Sequence, residues 1–303
     1  MSHSHGSHDH GTANYNRAFI IGITLNLALV VFQAISGVLA HSLALLTDAG
    51  HNLSDVLGLL LAWGANLLAS RPPTQRFTYG LRRTSILAAL ANAIFLLVAV
   101  GAIAWEALQR FHEPAQVSGG VVIGVAIVGI LVNTGTALLF LSGRKQDLNI
   151  RGAFLHLASD AIVSLGVVLA GIVIVVTGWN WIDPVVSLVI SGVIIFGTWE
   201  LLLDSVKLAL DAVPEGLEPL AVRTYLTELP GVTQIHDLHI WGMSTSETAL
   251  TVHLVIPGNH PGDDFLCRVS KELHDQFGIE HATIQVEQGD PNHPCGLEAE
   301  DKV

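Results

Sequence analysis

The sequence predicts an α-helical membrane protein: six transmembrane helices followed by a small cytosolic α+β domain of order αββαβ. Three observations carry this. Half of the 303 residues are hydrophobic and only 13% are charged, with a mean hydropathy of +0.54, a balance that fits lipid better than water as the solvent. The first two hundred residues hold apolar runs long enough to cross a hydrocarbon core, which takes roughly 20 residues. Beyond about residue 205 these runs give way to alternating and amphipathic segments.

The six runs are approximately Ala18–Ala40, Leu43–Ala69, Ile86–Leu108, Val117–Leu141, Ala153–Val176 and Pro184–Leu203, within a membrane domain spanning residues 16–208. The first follows a polar segment without a basic n-region, so it reads as a span and not as a cleaved signal peptide. That segment, residues 1–15, contains His3, His5, His8 and His10 and is too polar to build a core. It reads either as a loose metal-collecting tail or as a solvated terminus.

Orientation follows from the basic residues, which short cytoplasmic loops retain during insertion. Arg71, Arg76, Arg82 and Arg83 lie between the second and third runs, and Arg144, Lys145 and Arg151 between the fourth and fifth; the opposite side has only Arg110. Both termini are therefore expected in the cytosol.

Residues 209–290 form the predicted α+β domain, with 291–303 as a tail. Glu218–Leu229 reads as a helix, Val232–Trp241 and Ala249–Ile256 as strands, Asp263–Phe277 as a second helix and Ala282–Glu287 as a last strand. Pro230-Gly231 and Pro257-Gly258 punctuate these elements. The formal net charge is −12, with most of the acidic excess after residue 204. That disfavours nucleic acid and anionic lipid headgroups as partners of this domain. Cys267 and Cys295 both fall in the cytosolic part, where a structural disulfide is not expected, and no CxxC motif is present.

Ionisable residues within membrane spans are costly and point to function. The second run contains His51 and Asp55, the fifth His156 and Asp160. In each, His precedes Asp by four residues, which on a helix places both side chains on one face a turn apart. Two imidazoles and two carboxylates suffice for a tetrahedral site with ligands about 2.0–2.2 Å from the ion. Zinc fits best; cobalt, nickel, cadmium and iron remain open, whereas calcium and magnesium want oxygen-only shells. With both termini inside, the two pairs lie on the middle helices of two inverted halves, as in transporters that share a midplane site.

The helix starts predict either that the two helices are staggered or that one of them extends into the cytosol. At about 1.5 Å per residue, His156 and Asp160 lie only ~5 and ~10 Å beyond Ala153, against ~20 Å from Asp55 to Ala69. Asp48 shares the face of His51 and is expected to line a water path, carry a proton or orient a ligand. Asn26, Asn92 and Asn133 read as polar glue between helices. An intramembrane zinc protease is disfavoured, since His-Glu-x-x-His is absent and four ligands leave no open position. A metal-gated channel or sensor would be separated by conductance in place of saturable countertransport.

These residues resemble the cation diffusion facilitators, specifically their zinc-transporting branch. The resemblance runs through Thr47-Asp48-Ala49-Gly50-His51 to Asp55, Arg71-Pro72-Pro73, Arg76-Phe77-Thr78-Tyr79-Gly80, His156 to Asp160, Asp183-Pro184 and His236-Asp237-Leu238-His239-Ile240-Trp241. It implies a ferredoxin-like cytosolic domain, a homodimer, and export of cytosolic zinc or a similar divalent metal in exchange for protons by alternating access, with no enzymatic activity. It implies His51, Asp55, His156 and Asp160 as the transport site. In the cytosolic domain it implies metal ligands at His236, His253 and Glu287, with His239 and His281 nearby; Cys295, close to His293, offers a soft ligand, although the paired cysteines of some relatives are absent. A long His-rich loop between the fourth and fifth helices, present in many eukaryotic relatives, is absent here. A bacterial inner membrane is the expected location.

Overall fold

The computed structural model describes residues 12–69, 71–113, 115–141, 148–258, 260–290, 292–293 and 295–297. The four amino-terminal histidines of the predicted tail, and Arg144 and Lys145, lie outside these. The elements run α1 (Thr12–Leu39), α2 (Leu43–Ala69), α3 (Thr84–Gln109), α4 (Gly119–Phe140), α5 (Leu148–Thr177), α6 (Ile182–Ala209), α7 (Pro219–Thr227), β1 (Gln234–Gly242), β2 (Thr248–Val255), α8 (Asp263–Phe277) and β3 (Ile279–Glu287). They form two compact units: one of the residues up to Leu60 with Asn92–Glu200, the other of Leu61–Ala91 with the residues from Leu201 onward.

The first unit is built inside out relative to a water-soluble bundle. Phe196, Val176 and Ile162 are 82%, 76% and 70% exposed, while Gln33, Asp48, Ser164 and Asp183 are fully buried. Lipid solvates the former; only neighbouring helices can satisfy the latter. Helices α1, α3, α4, α5 and α6 are each long and apolar enough to cross a membrane. Helix α2, at 27 residues, is as long but carries Asp48, His51, Asn52 and Asp55 in its middle. The chain thus has a multi-pass membrane domain, with five such helices among the described residues where the sequence predicts six spans.

Close packing of α4 on α5 depends on two glycines. A Cβ on Gly171 would lie 2.7 Å from Ile123, and one on Gly119 only 3.1 Å from the Gly171 carbonyl oxygen. Small residues are what let membrane helices approach, because lipid-soluble surfaces gain little by hydrophobic association. Leu45, Val100, Val122, Val167 and Ile194 fill the apolar centre around them.

The start of α2 is fixed by side chains. His41 at φ 53° turns the chain, and Ser42 caps the helix, its Oγ accepting from Leu45 N at 3.2 Å. Asp183 on α6 accepts from Ser42 Oγ at 2.5 Å, Leu43 N at 2.7 Å and Ala44 N at 3.3 Å. The first helical N–H groups, which have no partner within the helix, are thereby satisfied away from water.

In the second unit, the sheet has order β1-β2-β3, with β1/β2 antiparallel and β2/β3 parallel. Helix α8 provides the crossover that a parallel pair requires. Ile235, Ile240, Leu250, Val252 and Leu254 of the strands close on Val222 and Leu226 of α7 and Val269 and Leu273 of α8. Strand alternation would place Ile235 and Ile240 on opposite faces. A bulge between His236 and His239, with Asp237 at φ 52°, shifts the register by one and returns Ile240 to the core. The same shift keeps His236 on the far face. Arg82 pairs with Glu247 at 2.6 Å and Arg83 with Asp211, joining the α2–α3 loop to the C-terminal part of this unit.

Candidate functional site

Helical spacing puts His51 above Asp55 on α2 and His156 above Asp160 on α5. The structure sets the two pairs against each other crosswise. His51 Nε2 lies 3.3 Å from Asp160 Oδ1, and His156 Nε2 lies 3.1 Å from Asp55 Oδ2 and 3.7 Å from Asp160 Oδ2. The two rings meet edge to face with centroids 5.9 Å apart. Ligand atoms of His51, Asp55 and Asp160 all fall within 4.8 Å of one another, and His156 reaches both carboxylates.

Two details bear on what this arrangement can hold. Asp55 Oδ2 and Asp160 Oδ1 are buried and make no hydrogen bond of proper geometry, although an imidazole nitrogen is near each. Their lone pairs are not spent on each other's residues. In addition, ligands of a tetrahedral ion at about 2.1 Å are separated by roughly 3.4 Å, and the 3.1–3.7 Å contacts bracket that edge length. The spacing of these contacts suits a zinc-sized cation, while His156 stands outside the group of three whose ligand atoms are all mutually close.

Of the two expectations, staggered helices or one helix extended, the helix bounds favour the extended helix. Helix α5 begins at Leu148, five residues before the apolar run. Asp160 is therefore ~18 Å into α5, close to the ~21 Å between Asp55 and the end of α2. Polar residues at the amphipathic start hid that first turn from a hydropathy reading.

Asp48 does not join this group. It accepts from Gln33 Nε2 at 2.5 Å and Ser164 Oγ at 3.3 Å. Asn133, read as helix glue, is fully buried with neither amide atom hydrogen-bonded.

On the far face of the sheet, His236 pairs in register with His253, and Glu287 lies diagonal to His253 across the parallel ladder. His253 Nδ1 is 3.3 Å from His236 Nε2 and 3.0 Å from Glu287 Oε1. Cys295 Sγ lies 3.7 Å from the same nitrogen, and the four residues form one potential ligand group. Asp237 Oδ2 approaches the other ring nitrogen of His253 at 3.4 Å, the position of an outer partner that orients a ligating imidazole. Burial opposes the charge on Glu287, but the Cys295 thiol, the Gln285 amide and the two imidazoles outweigh it and hold its carboxyl below the usual range. Its stabilising contribution is thus complete at neutral pH and is lost as pH falls through that lowered value.

His239 instead contacts Asp237 at 2.9 Å, and His281 packs edge-on against Tyr79. Neither belongs to a group of three potential ligands among the described residues. The structure gives Cys295 a larger place than its lone position in a short tail suggests. Asp237 carries no sequence signal for its role, because that role arises from the bulge.

Two family models cover nearly the whole chain: the cation efflux transmembrane domain over residues 19–208 and the cation efflux protein cytoplasmic domain over residues 214–289. The chain belongs to the cation efflux family. Among its relatives in that family is the zinc transporter ZitB of Escherichia coli (strain K12), 37% identical over 97% of this chain and 93% of ZitB. The cadmium, cobalt and zinc/H(+)-K(+) antiporter of Bacillus subtilis (strain 168) is 33% identical over 98% of this chain and 96% of its own length. The metal cation efflux system protein CzcD of Cupriavidus metallidurans is 35% identical over 93% and 89%. The resemblance drawn from the paired His-x-x-x-Asp motifs and this family membership agree.

Proposed function

We propose that this cation efflux protein exports zinc and similar divalent cations from the cytosol in exchange for protons, binding them through His51, Asp55, His156 and Asp160. The observation that carries the reading is the crosswise approach of two imidazoles to two carboxylates at 3.1–3.7 Å, with the ligand atoms of His51, Asp55 and Asp160 all within 4.8 Å of one another. Relatives named for zinc, cadmium and cobalt transport support the substrate class, and an antiporter among them supports proton exchange. Cobalt and nickel fit the same ligands.

Loading requires neutral imidazoles and ionised carboxylates, so a metal entering from the cytosol displaces protons resting on the histidines. A more acidic exterior returns them and expels the metal. The cycle uses six spans, residues 16–208, and a ferredoxin-like cytosolic domain, residues 209–290, in a homodimer of the bacterial inner membrane with both termini in the cytosol. The Arg82–Glu247 and Arg83–Asp211 pairs support a common side for the α2–α3 loop and the C-terminal domain. Zinc-driven acidification or alkalinisation inside proteoliposomes tests the exchange. Saturable proton counterflow is expected; zinc flux unaffected by collapse of the pH gradient, with no proton movement, would overturn it.

The cytosolic cluster is a regulatory metal site in this reading, with His236, His253, Glu287 and the soft ligand Cys295. Cys295→Ser is expected to weaken cadmium binding there by at least the roughly 10- to 100-fold that losing an outer-shell partner costs, and zinc binding less. Titration of the purified full chain with each metal measures the difference; equal loss for both metals would remove the thiolate from the site.

A further inference from the structure

We propose that Asp48 is a separate proton-carrying group of the transport cycle, releasing its proton when metal loads at His51 and Asp160 without itself touching the metal. This rests on the reading of the intramembrane site given above and assigns part of its proton coupling to a residue outside the ligand set.

Asp48 lies on α2 three residues before His51 and is fully buried. Its Oδ2 is taken by two donors, Gln33 of α1 and Ser164 of α5. Gln33 is held in that orientation, since its own Oε1 accepts from Asn52 at 3.2 Å and so turns the amide nitrogen toward Asp48. The other oxygen, Oδ1, is buried and has no hydrogen-bond partner among the described residues. Among the described residues, no Lys or Arg forms an ion pair with this carboxyl.

A carboxylate ion in that setting would hold a full charge out of water with one oxygen bare, a cost that buried groups avoid by taking up a proton. A proton on Oδ1 removes the charge and leaves Oδ2 free to accept from both donors, as the structure has it. Were the residue only a link between helices, an amide would serve without an ionisation cost.

The nearest titratable groups along its own helix and across from it are His51, one turn further on α2, and Asp160 of α5, which His51 contacts at 3.3 Å. From α1 it meets Gln33, and α4 presents Gly129 beside Gln33 and Ser164; neither titrates. Charge at the metal site therefore bears on the state of Asp48, alongside its burial and its two donors. Zinc arriving there adds two positive charges about one helical turn away, which favours the ionised carboxyl and sends the Oδ1 proton to water. Departure of zinc leaves an isolated buried charge, which takes a proton back.

Calorimetric zinc titrations of the purified full-length protein, in buffers of different ionisation enthalpy, count protons released per zinc bound. Asp48→Asn is expected to bind zinc yet release up to one proton fewer, and its log affinity is expected to rise with pH by up to one unit less per pH unit. An infrared carboxylic C=O band lost on zinc addition in the wild type is expected to be absent from the variant. An unchanged proton count and an unchanged band in Asp48→Asn would overturn the proposal. Ser164→Ala, which keeps the carboxyl and removes one donor to it, is expected to shift the frequency of that infrared band; an unshifted band would count against Asp48 as its source. Loss of zinc binding in His51→Ala alongside an unaltered proton count in Asp48→Asn would overturn this inference alone. Failure of the wild type to bind zinc at any but the cytosolic cluster would overturn the site and the inference together.

Discussion

Asp160→Ala is expected to lower zinc-driven proton flux in proteoliposomes by about 100-fold or more, the largest functional loss of any single substitution in the membrane domain. Asp160 is nearly fully buried and is the one carboxylate in contact with both imidazoles, His51 at 3.3 Å and His156 at 3.7 Å. Removing it deletes a proposed ligand and also the contact of the His51 ring, while His156 keeps Asp55 at 3.1 Å. Loss of an outer partner alone costs roughly 10- to 100-fold in metal affinity, and a ligand that also positions another is expected to exceed that. Asp160→Asn separates charge from shape: it keeps the volume and one oxygen, so a loss of the same size assigns the effect to the negative charge. The thermal midpoint of the purified variant reports whether its membrane domain is folded. Wild-type flux in Asp160→Ala would remove the crosswise site from the transport path.

Much of this site was legible because its code is local. His51 with Asp55, and His156 with Asp160, are each fixed in relative position by one helical turn, so a sequence spacing already states a geometry. Two such pairs in apolar helices leave few roles besides binding a cation. The crosswise pairing across helices was not legible, since it depends on how far each helix extends, and α5 begins in residues whose polarity conceals the helix. The cytosolic domain divides in the same way. Helix α8 follows from its amphipathic pattern and from Gly278, whose φ of 65° ends it while its N–H donates to the His274 and Leu273 carbonyls. The place of His236 opposite His253 depends on a bulge at Asp237, a non-glycine residue at positive φ that no alternation rule anticipates. Asp48 lies between these cases. Its face was readable from spacing, but its donors come from α1 and α5, and only the packed helices define them.

Asp183→Ala is expected to destabilise the membrane domain by about 2–4 kcal/mol, seen as a lower thermal midpoint of the purified protein. The magnitude follows from what the carboxylate accepts. Ser42 Oγ, Leu43 N and Ala44 N all donate to it inside the protein, and charge-assisted hydrogen bonds are each worth roughly 1.5–3 kcal/mol while buried donors left bare cost about 1–3. Partial relaxation and the remaining Ser42 cap on Leu45 N keep the total below the sum. Arg110 works at the same junction by donating to the His41 carbonyl. The anchor matters for transport because His51 lies ~12 Å along α2 from Leu43, so a helix free to slide at its start misplaces half of the ligand set. Asp183→Asn, retaining one acceptor but adding an amide that faces donors, is expected to fall between wild type and alanine in stability. A thermal midpoint in Asp183→Ala equal to the wild type would show that water or the helix itself satisfies these groups, and would remove Asp183 from the forces that hold α2 in register with α5.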